Sequence, residues 1–181
     1  MTKIAVFVGS LRVASSNKML AKALEKCASD GVQFDYVDIN LPLYNEDIEN
    51  AGFPATVQTM KNIVDAADGV LFVTPEYNRS IPGALKNAID WVSRPYGSNL
   101  LAKKPVGIVG SSMGPVGTAV AQSDLRHILL FLNAKVLGQP EVYVANAYEV
   151  FDKDGNVVSE RWLKNLEEYM NAFVAWVANE E

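Results

Sequence analysis

Ile4-Ala5-Val6-Phe7-Val8-Gly9-Ser10-Leu11-Arg12-Val13-Ala14-Ser15-Ser16-Asn17 decides how this chain must fold. Five consecutive apolar residues with no polar alternation predict a short strand covered on both faces, as in a parallel sheet between helices. Gly9 allows a sharp exit from that strand. After the small and polar residues that follow, Met19, Leu20, Ala23, Leu24 and Cys27 recur at helical spacing. A buried strand, a loop of small residues and a helix make the first half of a βαβ unit.

The same alternation continues outward. Gly69-Val70-Leu71-Phe72-Val73-Thr74, Val106-Gly107-Ile108-Val109 and Val142-Tyr143-Val144 read as buried strands, and the more polar Phe34-Asp35-Tyr36-Val37-Asp38-Ile39 suits a sheet edge. Helices are expected around Val57, Met60, Ile63 and Val64, after Pro82 (Leu85, Ala88, Ile89, Val92), over about residues 116–131, and from Trp162 through Leu166, Tyr169, Met170, Phe173 and Val177. Asp154-Gly155 marks a tight turn. Strand–helix alternation repeated five times predicts an α/β three-layer sandwich with a five-stranded parallel sheet and helices on both faces. The natural strand order is 2-1-3-4-5, the flavodoxin-like arrangement, with its ligand beyond the carboxyl ends of the strands.

Composition narrows the function classes. With 181 residues, 49% of them hydrophobic and 20% charged, residues 1–181 are expected to form one domain with a full core. A net charge of -5 and the lack of a long Lys/Arg run argue against nucleic acid or anionic lipid as a partner. The lone Cys27 forms no intrachain disulfide and reads as a packed thiol, and the lone His127 leaves no multi-histidine metal site or second catalytic histidine. No apolar run approaches the roughly 18 residues that span a bilayer. The opening Met-Thr-Lys runs directly into a strand without the features of a signal peptide, so a soluble cytoplasmic protein is expected and the sequon at Asn78-Arg79-Ser80 is accidental.

Three loops fall at the ligand end of the expected sheet. In the first, Ser10, Ser15, Ser16 and Asn17 supply short donors, Arg12 a forked cation, and the helix start free N–H groups, a cradle for phosphate. It lacks both the Walker pattern and G-x-G-x-x-G. The plainer reading has a serine capping the helix and Arg12 in solvent. The second, Thr74-Pro75-Glu76-Tyr77-Asn78-Arg79-Ser80-Ile81-Pro82-Gly83, offers a proline-stiffened backbone, the flat face of Tyr77 and mixed donors and acceptors, which suit the edge of a planar heterocycle. A proline-rich turn with Tyr77 packed on the sheet edge is its alternative. The third, Gly110-Ser111-Ser112-Met113-Gly114-Pro115-Val116-Gly117, permits close backbone approach, and a turn without function is its alternative. A phosphorylated planar cofactor fits all three at once.

Gly9-Ser-Leu-Arg-x-x-Ser15-x-Asn17, Ser111-Ser-Met-Gly114 and the long run Pro75-Glu-Tyr-Asn-x-Ser-Ile-Pro-Gly-x-Leu-Lys-Asn-Ala-Ile-Asp-Trp91 resemble the NADPH-dependent FMN reductase family, more narrowly its bacterial quinone and chromate reductases. The resemblance reaches to about Glu141. It implies a single flavodoxin-like FMN-binding domain over 1–181 that passes hydride from NADPH or NADH to FMN. Ping-pong reduction of quinones, chromate, azo compounds or free flavin then follows. It further implies that Ser10, Arg12, Ser15 and Asn17 hold the phosphate, that Pro75, Glu76, Tyr77 and Asn78 line one edge of the ring, and that Ser111, Ser112, Met113 and Gly114 line the other side. It also implies a homodimer or homotetramer. The chain differs from the commonest pattern at Ser16 and Arg79, where relatives often carry larger apolar or aromatic residues; the change falls on pocket shape and acceptor choice.

The chemistry then belongs to the flavin, and no catalytic side chain and no metal are expected. Backbone N–H groups around Glu76 and Asn78 are placed to stabilise the reduced ring. Arg79, an unpaired cation in the ring loop, is expected either to attract an anionic substrate or to stand in solvent. Glu76 is expected to cap the following helix or to pair with Lys86 or Arg126. Trp91, Tyr96 and residues 93–99 suit a subunit interface or a core contact. The rival functions are a flavodoxin-type electron carrier, which would be more acidic, and a receiver-like binding module, which needs an acidic cluster where this chain has Gly9-Ser10.

Overall fold

Residues 1–179 are described by a computed structural model. In chain order the elements are β1 (Thr2–Val8), α1 (Ser16–Cys27), β2 (Val32–Val37), α2 (Glu46–Ala51), α3 (Ala55–Asp65), β3 (Gly69–Val73), α4 (Gly83–Val92), β4 (Pro105–Ser111), α5 (Ala119–Phe131), β5 (Lys135–Val136), β6 (Val142–Val144), α6 (Ala147–Val150) and α7 (Glu160–Ala178). The strands lie parallel in the order β2-β1-β3-β4, and β5 and β6 both pair with β4. The expected 2-1-3-4-5 order is therefore present, with β2 at the edge.

The unbroken apolar run of β1 has its reason in the two cores. Ala5 and Phe7 face a core built from α3, α4 and α5 (Val57, Met60, Leu85, Trp91, Leu125), while Ile4 and Val6 face one built from α1 and α7 (Leu20, Leu24, Leu166, Phe173). Successive side chains of a strand point to opposite faces, so a strand covered twice needs apolar residues at every position. Each fully buried Leu or Phe contributes roughly 1.5–3 kcal/mol of transfer free energy.

Four details depart from the sequence reading. The fifth strand position is shared by two short pieces, because Gly138-Gln139-Pro140 interrupts the run and proline has no N–H for the ladder; Lys135–Val136 pairs with the start of β4 and Val142–Val144 with its end. α5 starts at Ala119 rather than near residue 116, since Gly117 sits at φ +67° against the Tyr143 backbone, outside helical space. α2 and α6 were not expected. α2 buries no side chain and leaves no apolar stripe, although Asn45 caps it and Glu46, Asp47 and Glu49 occupy its first turn. Trp91 belongs to the core, its indole N–H donating to Pro42 O at 2.8 Å, whereas Tyr96 is exposed.

Cys27 is half-buried, and burial, reinforced by the nearby charge of Glu167, pushes its thiol pKa up, so it is a packing residue. His127 lies on the surface of α5. No helix among the described residues is long and apolar enough to cross a membrane.

Candidate functional site

β1, β3 and β4 end side by side, so the loops that follow them meet above the sheet. Gly9 sits where they touch: its N–H donates to Val73 O at 2.8 Å, and a Cβ there would stand 3.0 Å from the Pro75 ring. Gly110 plays the same part on β4, where a Cβ would fall 2.2 Å from both Thr74 O and Thr118 Oγ1. The exit after β1 thus needs glycine for close approach of the neighbouring loop, not for a left-handed backbone.

In the first loop Ser15 is the N-cap of α1, its hydroxyl accepting the Asn17 N–H at 3.3 Å, and Ser10 Oγ accepts the Arg12 N–H at 3.4 Å. The backbone N–H groups of Val13, Ala14, Ser15 and Ser16 have no acceptor among the described residues. They are the donors that a helix start offers to an anion, with the positive end of the helix dipole behind them. The Asn17 side chain is turned to another task. It is 2% exposed, its amide donates to Ser111 O at 2.9 Å, and its Oδ1 accepts the Ser111 N–H at 2.9 Å. This reciprocal pair fastens α1 to the end of β4.

The second loop turns back on itself between Tyr77 and Ser80, whose N–H and C=O groups exchange hydrogen bonds of 2.9 and 3.0 Å. Asn78 at φ +52° and Arg79 at φ +66° form the two left-handed positions of a type I′ turn. Asn tolerates that geometry; Arg carries a backbone cost of about 1 kcal/mol that glycine would escape. Arg79→Gly should therefore be more stable than Arg79→Ala by about 1 kcal/mol in chemical denaturation, since both lose the same side chain and only alanine keeps the strain.

Glu76 corrects two expectations. It caps neither α4 nor pairs with Lys86 or Arg126. Its Oε2 accepts the Val120 and Ala121 N–H groups at the start of α5, each at 3.1 Å, and its Oε1 lies 3.2 Å from Arg79 Nη1. Arg79, expected to be unpaired, is thus tethered to a carboxylate, while Lys86 pairs with Asp90 and Arg126 with Glu141. The spacing of Glu76 to Arg79 carried a hint of this pair; the α5 contact, 44 residues away, left none.

The third loop is fastened to the strand beside it. Ser112 N–H donates to Val144 O at 2.9 Å, Ala147 N–H to Ser112 O at 3.0 Å, and Ser112 Oγ accepts the Gly114 N–H at 3.0 Å. Above the three loops lies a cleft of about 230 Å³ lined by Ser10, Arg12, Ser15, Asn17, Pro75, Glu76, Tyr77, Ser111, Ser112, Met113 and Gly114. All the site residues expected from the sequence meet there except Asn78 and Arg79, which sit in the turn beyond. Ser16, read from the sequence as one of the cradle's short donors, lies there too and accepts the Ser111 hydroxyl at 2.8 Å.

The arrangement suits a phosphorylated flat ring, since free N–H groups, hydroxyls and Arg12 share the cleft with the half-exposed apolar faces of Tyr77 and Met113. The comparisons agree. The sequence pattern of NADPH-dependent FMN reductases matches residues 2–149. A 2-hydroxy-1,4-benzoquinone reductase from a Burkholderia species is 48% identical, over 97% of this chain and 96% of its own. A quinone reductase of Pseudomonas putida is 41% identical, over 96% of this chain and 94% of its own. The solved structure of FerB, a flavoenzyme NAD(P)H:(acceptor) oxidoreductase of Paracoccus denitrificans, superposes with a TM-score of 0.93 at 41% identity and covers 99% of each chain. A cleft with the chemistry of a mononucleotide site and a sequence match over most of the chain lead to one conclusion, that this chain belongs to the NADPH-dependent FMN reductase family.

Proposed function

We propose that the chain is an FMN-dependent NAD(P)H oxidoreductase whose main acceptors are quinones, with chromate, azo compounds and free flavin also admitted by an open ring face. The observation that carries this reading is the meeting, in one cleft, of Arg12 and the free N–H groups of Ser15 and Ser16, suited to an anion, with a flat-ring slot at Tyr77 and Met113. The quinone reductases at 48% and 41% identity support the acceptor class.

When bound, FMN supplies the redox chemistry, accepting a hydride from the nicotinamide and returning electrons to an acceptor. The chain's residues bind and orient. Ser10, Arg12, Ser15 and the N–H groups of α1 hold the phosphate, and Asn17 serves by locking that loop to Ser111. Pro75, Tyr77 and the backbone of Glu76 and Asn78 line one edge of the ring; the N–H groups of Glu76 and Asn78 have no acceptor among the described residues and are donors for its polar edge. Ser111, Ser112, Met113 and Gly114 line the other side. Arg79 stands toward the substrate. No side chain is assigned a catalytic role.

The same reading includes a homodimer or homotetramer working in the cytoplasm. Support for association comes from Leu130 and Phe131, which stay 75% and 85% exposed beside a groove of about 370 Å³ between α4 and α5. A flavodoxin-type carrier is the competing function, and one anaerobic experiment separates the two. Protein loaded with FMN and freed of excess should keep its flavin and lose its visible absorbance within seconds of adding NADPH or NADH. Flavin that stays bound but does not bleach with either donor would establish the carrier, and failure to retain flavin would defeat both.

A further inference from the structure

We infer that a second cavity beside the cleft, walled by residues 147–153, seats the adenosine end of the hydride donor, and that Lys153 there selects the 2′-phosphate that distinguishes NADPH from NADH. The inference rests on the reductase reading above and assigns a subsite to its donor.

The cavity has a volume of about 350 Å³ and shares Arg12, Ser16 and Met113 with the cleft. A dinucleotide whose nicotinamide lies at the ring slot must place its other nucleotide within reach of one pyrophosphate, and a cavity with a common wall meets that demand. The larger cavity at the end of β2, about 490 Å³, shares Ser10 alone with the cleft, and its Lys22 is already paired with Glu25 at 2.7 Å. Met19, Ala147 and Phe151 give the smaller cavity an apolar lining, and beside them Tyr148 and Met113 stay 60% and 58% exposed. Aromatic and thioether surface next to polar groups is what a purine ring takes.

Charge points to a phosphate on that nucleoside. Arg12 and Lys153 both line the cavity and are exposed, and neither side chain has a hydrogen bond or ion pair among the described residues. The carboxylate that lines it, Asp152, is taken up by its own turn: Oδ1 accepts the Asp154 N–H at 2.9 Å and the Asn156 N–H at 2.8 Å, and Oδ2 accepts the Asn156 amide at 3.1 Å. Phe151 pairs with Val157 across this hairpin, and Gly155, at φ +83°, packs on Met19 of α1. Lys153 is therefore presented from an anchored turn. In a chain of net charge -5, two unpaired cations at one apolar cavity mark a place for an anion. Arg12 also faces the phosphate side of the cleft, which leaves Lys153 for the donor. Dinucleotide sites generally meet a 2′-phosphate with a cation and a free ribose hydroxyl with an acid, and the acid here is already engaged.

The rate of flavin bleaching at varied donor concentration, with no acceptor present, gives the apparent affinity for NADPH and for NADH separately. The wild type should favour NADPH by about tenfold or more. Lys153→Gln should cut that preference about tenfold through affinity rather than limiting rate, and Lys153→Arg should keep most of it. Tyr148→Ala should weaken both donors about fivefold and leave the preference in place. Calorimetric titration of the oxidised, FMN-loaded protein with adenosine 2′,5′-bisphosphate, which is redox-inert, should show the same loss in Lys153→Gln. Added salt should weaken that binding more in the wild type than in the variant. A wild type without donor preference, a preference that moves less than twofold in Lys153→Gln, or a Tyr148→Ala protein with both donor affinities intact overturns the inference and leaves the reductase reading standing. A bisphosphate that binds wild type and Lys153→Gln alike does the same. Bound flavin that bleaches with neither donor overturns the reading itself.

Discussion

Asn17→Asp should lower stability by about 3 kcal/mol at pH 7.5 and weaken FMN retention, although it exchanges only an NH2 group for an oxygen. In the native protein the amide donates to Ser111 O while Oδ1 accepts the Ser111 N–H, both at 2.9 Å, and the residue is 2% exposed. An aspartate keeps the second bond but sets a charged oxygen against the Ser111 carbonyl, and no cation is hydrogen-bonded to this side chain among the described residues. The favourable escape is protonation, which restores a donor, so the folded-state pKa of the new carboxyl rises above its unfolded value. A group raised in this way is most favourable below its unfolded pKa, and its contribution is lost as pH rises through the folded value. The deficit relative to wild type should therefore be largest at pH 7.5 and shrink toward pH 4.5. Urea denaturation of both proteins at the two pH values measures it, and FMN titration by fluorescence quenching reports the cradle. A deficit independent of pH would mean that the Ser111 carbonyl is not what the amide serves.

Glu76→Ala should cost about 2 kcal/mol and weaken FMN binding about tenfold, more than either Arg79→Ala or loss of any exposed ion pair. The carboxylate supplies the cap of α5, because Thr118 at the N-cap position makes no side-chain hydrogen bond to the helix start. Removing it leaves two N–H groups without their acceptor and releases Arg79. It also cuts the tie between the loop after β3 and the element that follows the loop after β4, so the two sides of the ring slot lose their common reference. Glu76→Gln, which keeps an oxygen for the helix but loses the charge, should recover about half of the stability. Thermal unfolding with and without FMN checks both variants. A Glu76→Ala protein as stable as wild type but poor in FMN binding would place the carboxylate on the cofactor rather than on α5.

These two residues also show how far the sequence reaches. Both were recognisable as site residues, Asn17 in a phosphate-type loop and Glu76 in the long motif after β3. Their partners were not, because Asn17 acts on Ser111 and Glu76 on Val120 and Ala121, at separations of 94, 44 and 45 residues. A residue type announces what bonds it can make, but a single sequence holds no record of which distant group arrives to make them. Arg79 illustrates the same limit at short range: the turn that strains it and the carboxylate that holds it lie within three residues, yet the sequence alone presented a free cation.

The larger pattern was local and therefore legible. Unbroken apolar strands alternating with amphipathic helices demand a doubly covered parallel sheet, since each strand must bury both faces and each helix one stripe. That requirement pointed to a three-layer sandwich, for which the flavodoxin-like order was the natural expectation, and with it to the ligand end of the sheet and the three loops there. Marginal elements escaped it: α2 buries nothing, and β5 is two residues long, held by pairing with Pro105 and Val106 rather than by any pattern of its own. The sequence by itself settled the architecture, because burial periodicity is written residue by residue. Tertiary structure alone decided which polar groups hold the loops and which remain free for a ligand, because that depends on donors and acceptors brought together only when the sheet has formed.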